Sequence, residues 1–186
     1  MDQDVSNVIK FGTDGWRGII GLDFNMVNLS KVVVASCQEL KYQFFDQVKT
    51  KKILIGYDRR FMAKQFAEAI VPYVYGCGLD PILSSSYVTT PSCSLYVKDH
   101  NFLGSLIITA SHNPHNWLGL KIKSYNGCSV SKSFTNEVEK RISLRNIFET
   151  KNFEFSSLDI KKYHLEKLQS IFDIKFILQS LKTMKI

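Results

Sequence analysis

The stretch that decides the fold is Leu103–Ala110, which reads LGSLIITA and runs directly into Ser111-His112-Asn113-Pro114. Its apolar run suits a central strand, and the Asn-Pro pair predicts a turn immediately after that strand. Open α/β sheets bind ligands at the carboxyl ends of their strands, where Ser111 would lie. A hydroxyl in that place can act as a nucleophile or carry a phosphoryl group, although most loop serines only cap the following segment. Both interpretations stay open on these residues alone.

Outward from this strand, apolar strands alternate with segments of helical periodicity. Strands are predicted at 52–57, 81–83 and 119–123, and helices at 28–48, 63–75, 91–100 and 133–148. The alternation predicts an α/β fold in three α/β/α layers around a mainly parallel, mixed sheet. A connection is predicted at 149–160, and two helices are expected after residue 160, the second capped by Asp173.

The composition excludes several classes of protein. The chain has 186 residues, of which 45% are apolar and 22% charged, so it is typical of a globular protein rather than a disordered or fibrous one. No apolar run approaches the ~18 residues of a membrane span. The opening Met1–Asp4 is acidic and unlike a signal peptide. We therefore expect a cytoplasmic protein with no membrane partner.

The net charge of +7 arises mainly after Leu120. Clustered basic charge can follow nucleic-acid phosphates, but the sequence has no arginine-rich run, zinc-ligand spacing or RNA-binding aromatic motif. A solvated or phosphate-attracting face is therefore favoured, and no nucleic-acid partner is expected. The widely spaced cysteines predict reduced, mostly buried thiols and no protein metal cluster; they are Cys37, Cys77, Cys93 and Cys128.

A second candidate site is the glycine-rich segment Gly12–Gly18, GTDGWRG. Its three glycines free the backbone to present N–H groups to an anion, and Arg17 offers a forked donor for phosphate. The segment lacks the Lys-Ser/Thr ending of a P-loop. A tight turn with a structural Arg–Asp pair is the alternative, and the segment alone does not decide between them.

Two further groups of residues are expected near the same sheet edge. In Gly56–Arg60, GYDRR, a structural role is favoured, with Asp58 capping the next helix or pairing with Arg60. Lys121 and Lys123 share one face of their strand by alternation, where a lysine could neutralise phosphate charge or exchange protons. The alternative for these two lysines is a solvent-facing strand.

The chemistry favoured by these segments is phosphate chemistry rather than acyl transfer. No serine has the G-x-S-x-G frame of a hydrolase elbow. His112 directly follows Ser111, and adjacent residues seldom direct their side chains towards each other.

Four motifs occur here in the order found in the α-D-phosphohexomutases. They are FGTDGWRG at Phe11–Gly18, GYDRR at Gly56–Arg60, TTPS at Thr89–Ser92 and TASHNP at Thr109–Pro114. The spacing from the TASHNP serine to Lys121 is also similar. The chain thus resembles the phosphoglucomutase/phosphomannomutase family over about residues 9–150. The resemblance implies the family's α/β/α domain I at 1–155, with a linker and the first helices of a second domain at 156–186.

The resemblance also implies roles for individual residues. Ser111 would carry a phosphoryl group between the 1- and 6-positions of a hexose phosphate, through a hexose 1,6-bisphosphate, which makes the enzyme an intramolecular phosphotransferase. His112 and Lys121 would transfer protons or stabilise charge beside it, and Arg17 would support its loop. Magnesium would bind the phosphoserine oxygens. Support for the phosphate or the loop is expected from Gly12, Thr13, Asp14, Gly15 and Asn113.

Two departures from the family pattern stand out. Leu118 occupies a position where the family usually has Asn, so a loop hydrogen bond is expected to be missing. The D-G-D-G-D-R metal loop and the later domains of the four-domain family are absent from the sequence. We therefore expect an N-terminal piece that is inactive alone and needs the remaining domains as partners. The alternative is a non-catalytic module that binds a sugar phosphate or a protein partner.

Overall fold

The computed structural model describes residues 9–12, 15–142 and 155–183. In chain order the elements are β1 (Phe11–Gly12), β2 (Gly15–Ile19), α1 (Met26–Val48), β3 (Lys52–Tyr57), α2 (Ala63–Gly76), β4 (Asp80–Ser84), α3 (Thr90–Asp99), β5 (Gly104–Ile108), β6 (Trp117–Ser124), α4 (Lys132–Ile142), β7 (Ser156–Leu158), α5 (Ile160–Ile171) and α6 (Ile174–Thr183). Within these residues, none of the helices combines the length and apolar content that crossing a membrane requires.

The strands form one sheet in the order β1-β2-β6-β5-β3-β4-β7. One half is parallel, because β5, β3, β4 and β7 run in the same direction. The other half is antiparallel, because β6 pairs antiparallel with both β5 and β2. The connection 109–116 between β5 and β6 is far shorter than the dozen or so residues of a parallel crossover, so β6 must reverse direction. The sheet is therefore mixed, as expected.

Helices cover both faces of the sheet, which confirms the predicted three layers. Alternate residues of β5 separate the two cores: Leu106 packs with the α1, α2 and α4 side chains, and Ile107 packs with those of α3 and α5. The first core holds Leu40, and the second holds Val97. The carboxyl ends of β5, β3 and β4 meet at one edge of the sheet between these layers.

Local signals set the helix ends. Asn25 caps the start of α1, because its side chain accepts the N–H of Asn28 at 3.0 Å. Asp173 caps α6 as predicted, because its carboxylate accepts the N–H of Phe176 at 2.9 Å. The predicted helix at 133–148 is observed as α4, and residues 143–148 lie outside the described part of the chain.

The strand β7 was not predicted. It lies within the predicted connection and pairs in parallel with β4, with Ser156 opposite Ile82. Directly after it, Ile160 is fully buried in the α3-side core, and the Tyr163 hydroxyl donates to Asp99 of α3 at 2.6 Å. Residues 156–163 are therefore attached to this sheet. The domain boundary between residues 155 and 156 stays a prediction.

All four cysteines are free thiols. Cys37 and Cys93 are buried, and Cys77 is half-buried, while Cys128 is exposed. Burial raises the pKa of the Cys93 thiol to about 12, so this side chain is a neutral part of the core at physiological pH.

Candidate active site at the carboxyl end of β5

Ser111 lies in the tight connection that follows β5. Its backbone is left-handed, with φ of 58°, which is uncommon for a residue other than glycine. The turn is held at both sides, because the Thr109 N–H donates to the Gly119 carbonyl at 2.9 Å and the Asn113 N–H donates to the Ala110 carbonyl at 3.1 Å. The serine side chain is exposed. The fold therefore presents its hydroxyl at the sheet edge.

Arg60 fastens this loop from the neighbouring β3–α2 connection. One terminal nitrogen, Nη2, donates to the carbonyls of Ser111 at 2.7 Å and Asn113 at 2.6 Å. The other, Nη1, donates to the carbonyls of Pro114 at 2.8 Å and Trp117 at 3.2 Å. One rigid, planar cation thus binds four carbonyl oxygens of the segment that carries the serine. We call these contacts the Arg60 clamp.

Asp58 connects the clamp to the serine backbone. Its Oδ2 accepts the Thr109 hydroxyl at 2.6 Å and lies 3.6 Å from the Arg60 Nε. The Thr109 Oγ1 in turn accepts the Ser111 N–H at 3.0 Å. A continuous hydrogen-bonded chain therefore runs from the carboxylate to the serine.

The sequence interpretation of these residues is only partly right. Asp58 pairs with Arg60 as predicted, but it does not cap α2, which begins after Met62 with no side-chain cap. The clamp and the Asp58–Thr109 contact were both missed. A signal for them exists, because GYDRR follows a strand that can lie beside β5 and would then end at the same edge.

His112 approaches Ser111 more closely than the sequence interpretation allowed. The His112 Nδ1 lies 3.5 Å from the Ser111 Oγ, which is at the long limit of a hydrogen bond. Both side chains are exposed. The expectation that these neighbours direct their side chains apart is wrong here, and the left-handed backbone of Ser111 accompanies the approach.

Arg17 lies on β2, opposite Gly119 of the neighbouring strand β6 and close to the start of the serine loop. It pairs with Gly119, and a Cβ built on that glycine would come 2.9 Å from both the Arg17 Cγ and the Thr109 carbonyl oxygen. The bare glycine therefore lets the arginine stem approach the loop. Arg17 makes no ion pair with any described residue, whereas Thr13 and Asp14 lie outside the described part of the chain.

Lys121 and Lys123 share one sheet face, as the alternation predicted, and Arg17 lies on that face as well. Lys121 lies opposite Ile107 of the neighbouring strand β5, and it is buried, with only 8% of the residue exposed. Lys123 is also buried, and its Nζ donates to the Ser129 hydroxyl at 2.6 Å. The alternative of a solvent-facing strand is therefore wrong.

Leu118 packs in the core instead of making the polar contact that an Asn could make at this position. It is fully buried in the core on the α1 side and lies opposite Gly18 of β2. Of the other predicted supporting residues, Asn113 contributes its backbone to the clamp, while its Oδ1 is buried without a partner among the described residues. Gly12 and Gly15 are paired between β1 and β2.

Gly15 requires glycine for two separate reasons. Its φ is +118°, and a Cβ there would collide with the Leu120 carbonyl oxygen. Gly21 also has a positive φ, at +85°, but nothing lies within 4 Å of a Cβ built there.

We expect Gly21→Ala to cost about 1–2 kcal/mol of unfolding free energy, from backbone strain alone. Gly15→Ala should cost clearly more, measured by urea denaturation, and equal losses would contradict a steric requirement at Gly15.

Thr109→Val tests the hydroxyl that joins Asp58 to the serine backbone. The substitution conserves shape and leaves both the carboxylate and the Ser111 N–H without this partner, so we expect a loss of about 1–3 kcal/mol. Thr109→Ser keeps the hydroxyl and is the matched control, with a smaller loss expected. Urea midpoints of the three chains give the comparison. A Ser variant as unstable as the Val variant would show that the methyl group, not the hydroxyl, matters.

Magnesium remains a prediction for this chain. Among the described residues, no three His, Cys, Asp or Glu side chains converge on a possible metal site. A phosphate on the exposed Ser111 could supply oxygen ligands, but the described side chains do not complete a magnesium site around it. We therefore derive no step through the metal.

The comparisons with known proteins agree with this architecture. A family model described as phosphoglucomutase/phosphomannomutase, alpha/beta/alpha domain I, matches residues 8–146. A phosphoglucomutase from Staphylococcus saprophyticus is 30% identical over 139 residues, which are 73% of this chain and 24% of that protein. A phosphoglucosamine mutase from Finegoldia magna is 31% identical over 129 residues, covering 69% of this chain and 27% of that protein.

Solved structures are similar over most of the chain. The crystal structure of a Thermus thermophilus protein described as a phosphomannomutase has a TM-score of 0.79 and 29% identity, and the match covers 90% of this chain and 37% of that one. Paramecium parafusin, a phosphoglucomutase in its open form, has a TM-score of 0.74 at 20% identity; the match covers 88% of this chain and 35% of that one and supports the fold alone. The chain spans about a quarter of the length of the two curated relatives above.

Proposed function

The chain belongs to the phosphoglucomutase/phosphomannomutase family, and we propose that it supplies the phosphoryl-carrying serine of a hexose-phosphate mutase. A sugar hydroxyl would attack the phosphorus on Ser111, and the bond from phosphorus to the Ser111 Oγ would break. The resulting hexose 1,6-bisphosphate would reorient, and the Ser111 Oγ would then take the other phosphoryl group. The single observation that carries this proposal is the exposed Ser111 held in a left-handed turn by the Arg60 clamp.

The clamp suits a phosphoryl carrier for electrostatic reasons. Phosphoryl transfer depends mainly on positioning and on stabilising negative charge. Four backbone carbonyls near the serine would otherwise present partial negative charge to a phosphate. Arg60 binds all four, so their charge is compensated before any phosphate arrives. The same contacts restrict the loop, which reduces the entropy lost when the reacting atoms are aligned.

Neighbouring side chains would handle protons and charge. The His112 Nδ1 lies 3.5 Å from the Ser111 Oγ, and it would accept the proton when the serine attacks and return it when the serine leaves. Arg17 and Lys121 lie on one sheet face beside the loop and would offset phosphate charge. The substrate we propose is a hexose phosphate.

The mutase reaction is proposed for the protein together with the domains that its relatives have. We expect the 186-residue chain alone to show no magnesium-dependent turnover of glucose 1-phosphate, because it spans about a quarter of its curated relatives. The test incubates the product of the full reading frame with glucose 1,6-bisphosphate and maps phosphoserine by mass spectrometry. Phosphate on Ser111 is the expected result. No phosphoserine and no turnover would instead favour a non-catalytic sugar-phosphate module, and robust turnover by the chain alone would contradict the need for other domains.

A further inference from the structure

A cleft of about 520 Å³ lies between the carboxyl ends of β3 and β4, beside the Arg60 clamp. Its walls come from the segment after β3, the start of α2 and the segment after β4, with Arg59, Lys64, Ser85, Ser86 and Tyr87 among the lining residues. Ser111 is not among those residues. We call this the β3–β4 cleft. Its volume lies within the range of sites that bind small molecules.

Arg59 and Tyr87 line this cleft, and a second cation, Lys161, which is not among the lining residues, approaches the same Tyr87 ring. The Arg59 guanidinium carbon lies 3.7 Å from the centre of the Tyr87 ring, and Arg59 also donates to the Tyr87 hydroxyl. From α5, the Lys161 Nζ lies 5.3 Å from the same centre. Neither cation forms an ion pair with a described carboxylate. Bringing two like charges together without a counter-charge is unfavourable, so this arrangement attracts an anion.

The remaining charges of the cleft are already compensated. Asp58 faces Arg60 at 3.6 Å, and Glu68 faces Lys64 at 3.6 Å. These carboxylates therefore do not neutralise Arg59 or Lys161, which remain in excess.

The donors of the β3–β4 cleft suit a phosphate group better than an anion that can carry only one negative charge. Arg59 in the cleft wall and Lys161 against the same Tyr87 ring together suit a group that carries up to two negative charges. Stacking on Tyr87 orients the planar Arg59 fork, whose remaining N–H groups can bind oxygen atoms in pairs. The hydroxyls of Ser85 and Ser86 line the same space and have no hydrogen-bond partner among the described residues. We infer that the β3–β4 cleft binds the phosphate group of a small phosphorylated ligand, at a site separate from the Ser111 hydroxyl.

Inorganic phosphate titrated into the ¹⁵N-labelled 186-residue chain tests this site. At constant ionic strength, we expect saturable shifts of the Lys64, Ser85 and Ser86 amide signals. Arg59→Gln should weaken binding about tenfold or more, because it removes a charge-assisted pair of hydrogen bonds. Lys161→Gln should weaken it in the same direction. Lys175→Gln, on exposed α6, removes the same charge far from the cleft in sequence and should leave the affinity unchanged.

Further titrations distinguish phosphate binding in the β3–β4 cleft from the proposed phosphoryl transfer at Ser111. Ser111→Ala should keep the shifts, whether or not the protein is a mutase. Shifts that Ser111→Ala abolishes and Arg59→Gln leaves intact would overturn the cleft site without touching the proposed function. Equal weakening by Lys175→Gln, or the same shifts from sodium chloride, would also overturn it. Glucose 6-phosphate binding more tightly than inorganic phosphate would identify a sugar phosphate as the ligand, and equal affinity would identify phosphate alone.

Discussion

Replacing Ser111 by alanine should lower the mutase turnover rate of the protein encoded by the full reading frame by about a thousandfold or more. The expectation follows from the proposed function, in which the Ser111 Oγ forms and breaks the bond to phosphorus. Alanine has no oxygen to carry the phosphoryl group, and no other described hydroxyl shares the left-handed turn held by Arg60. Initial rates with glucose 1-phosphate and glucose 1,6-bisphosphate give the measurement, and phosphoserine mapping shows whether the carrier is lost.

Ser156→Ala is the matched control for this substitution. Ser156 is exposed on the edge strand β7, far along the chain from the candidate site, so turnover should be unchanged. Urea midpoints of both variants verify that they fold, and we expect little change because both serine side chains are exposed. Turnover retained by a folded Ser111→Ala protein would refute the assignment of Ser111 as phosphoryl carrier.

The layers of the fold follow from periodicity that is visible in the sequence. Residues 52–57 and 103–110 are apolar enough to be buried on both faces, and they contain the central strands β3 and β5. The three residues of β7 are Ser-Ser-Leu, too short and too polar to show a strand pattern. That strand exists because β4 offers it an unpaired edge, which is tertiary information.

The candidate site, like the fold, has one part that the sequence predicts and another part that only the tertiary structure reveals. The position of Ser111 follows from chain order, because the serine comes directly after an apolar strand. Arg60 and Asp58 join it only because β3 lies next to β5 in the sheet, an order that chain position does not reveal. The carbonyl partners of Arg60 are 51 to 57 residues away, so a local interpretation of GYDRR as a helix cap could not find them.

Replacing Arg60 by leucine should lower the free energy of unfolding by about 2–4 kcal/mol. The side chain is mostly buried, with 15% exposed, and its loss leaves four carbonyls and the Asp58 carboxylate without their shared partner. Water can reach some of these oxygens, which keeps the expected loss below the sum of the individual bonds. Urea denaturation measures the change. The Thr109 and Asn113 amides should also exchange faster with solvent than the amides of α1.

Two arginine substitutions make this result specific to the clamp. Arg60→Lys keeps the charge beside Asp58, but its single ammonium has three donors and cannot span four carbonyls, so it should recover less than half of the loss. Arg59→Leu removes the exposed neighbouring guanidinium and its contact with Tyr87, and should cost less than about 1 kcal/mol. Full rescue by lysine would mean that charge alone matters at residue 60. Equal losses for Arg59→Leu and Arg60→Leu would contradict a clamp, because of these two arginines Arg60 is the one that donates to the carbonyls of the serine loop.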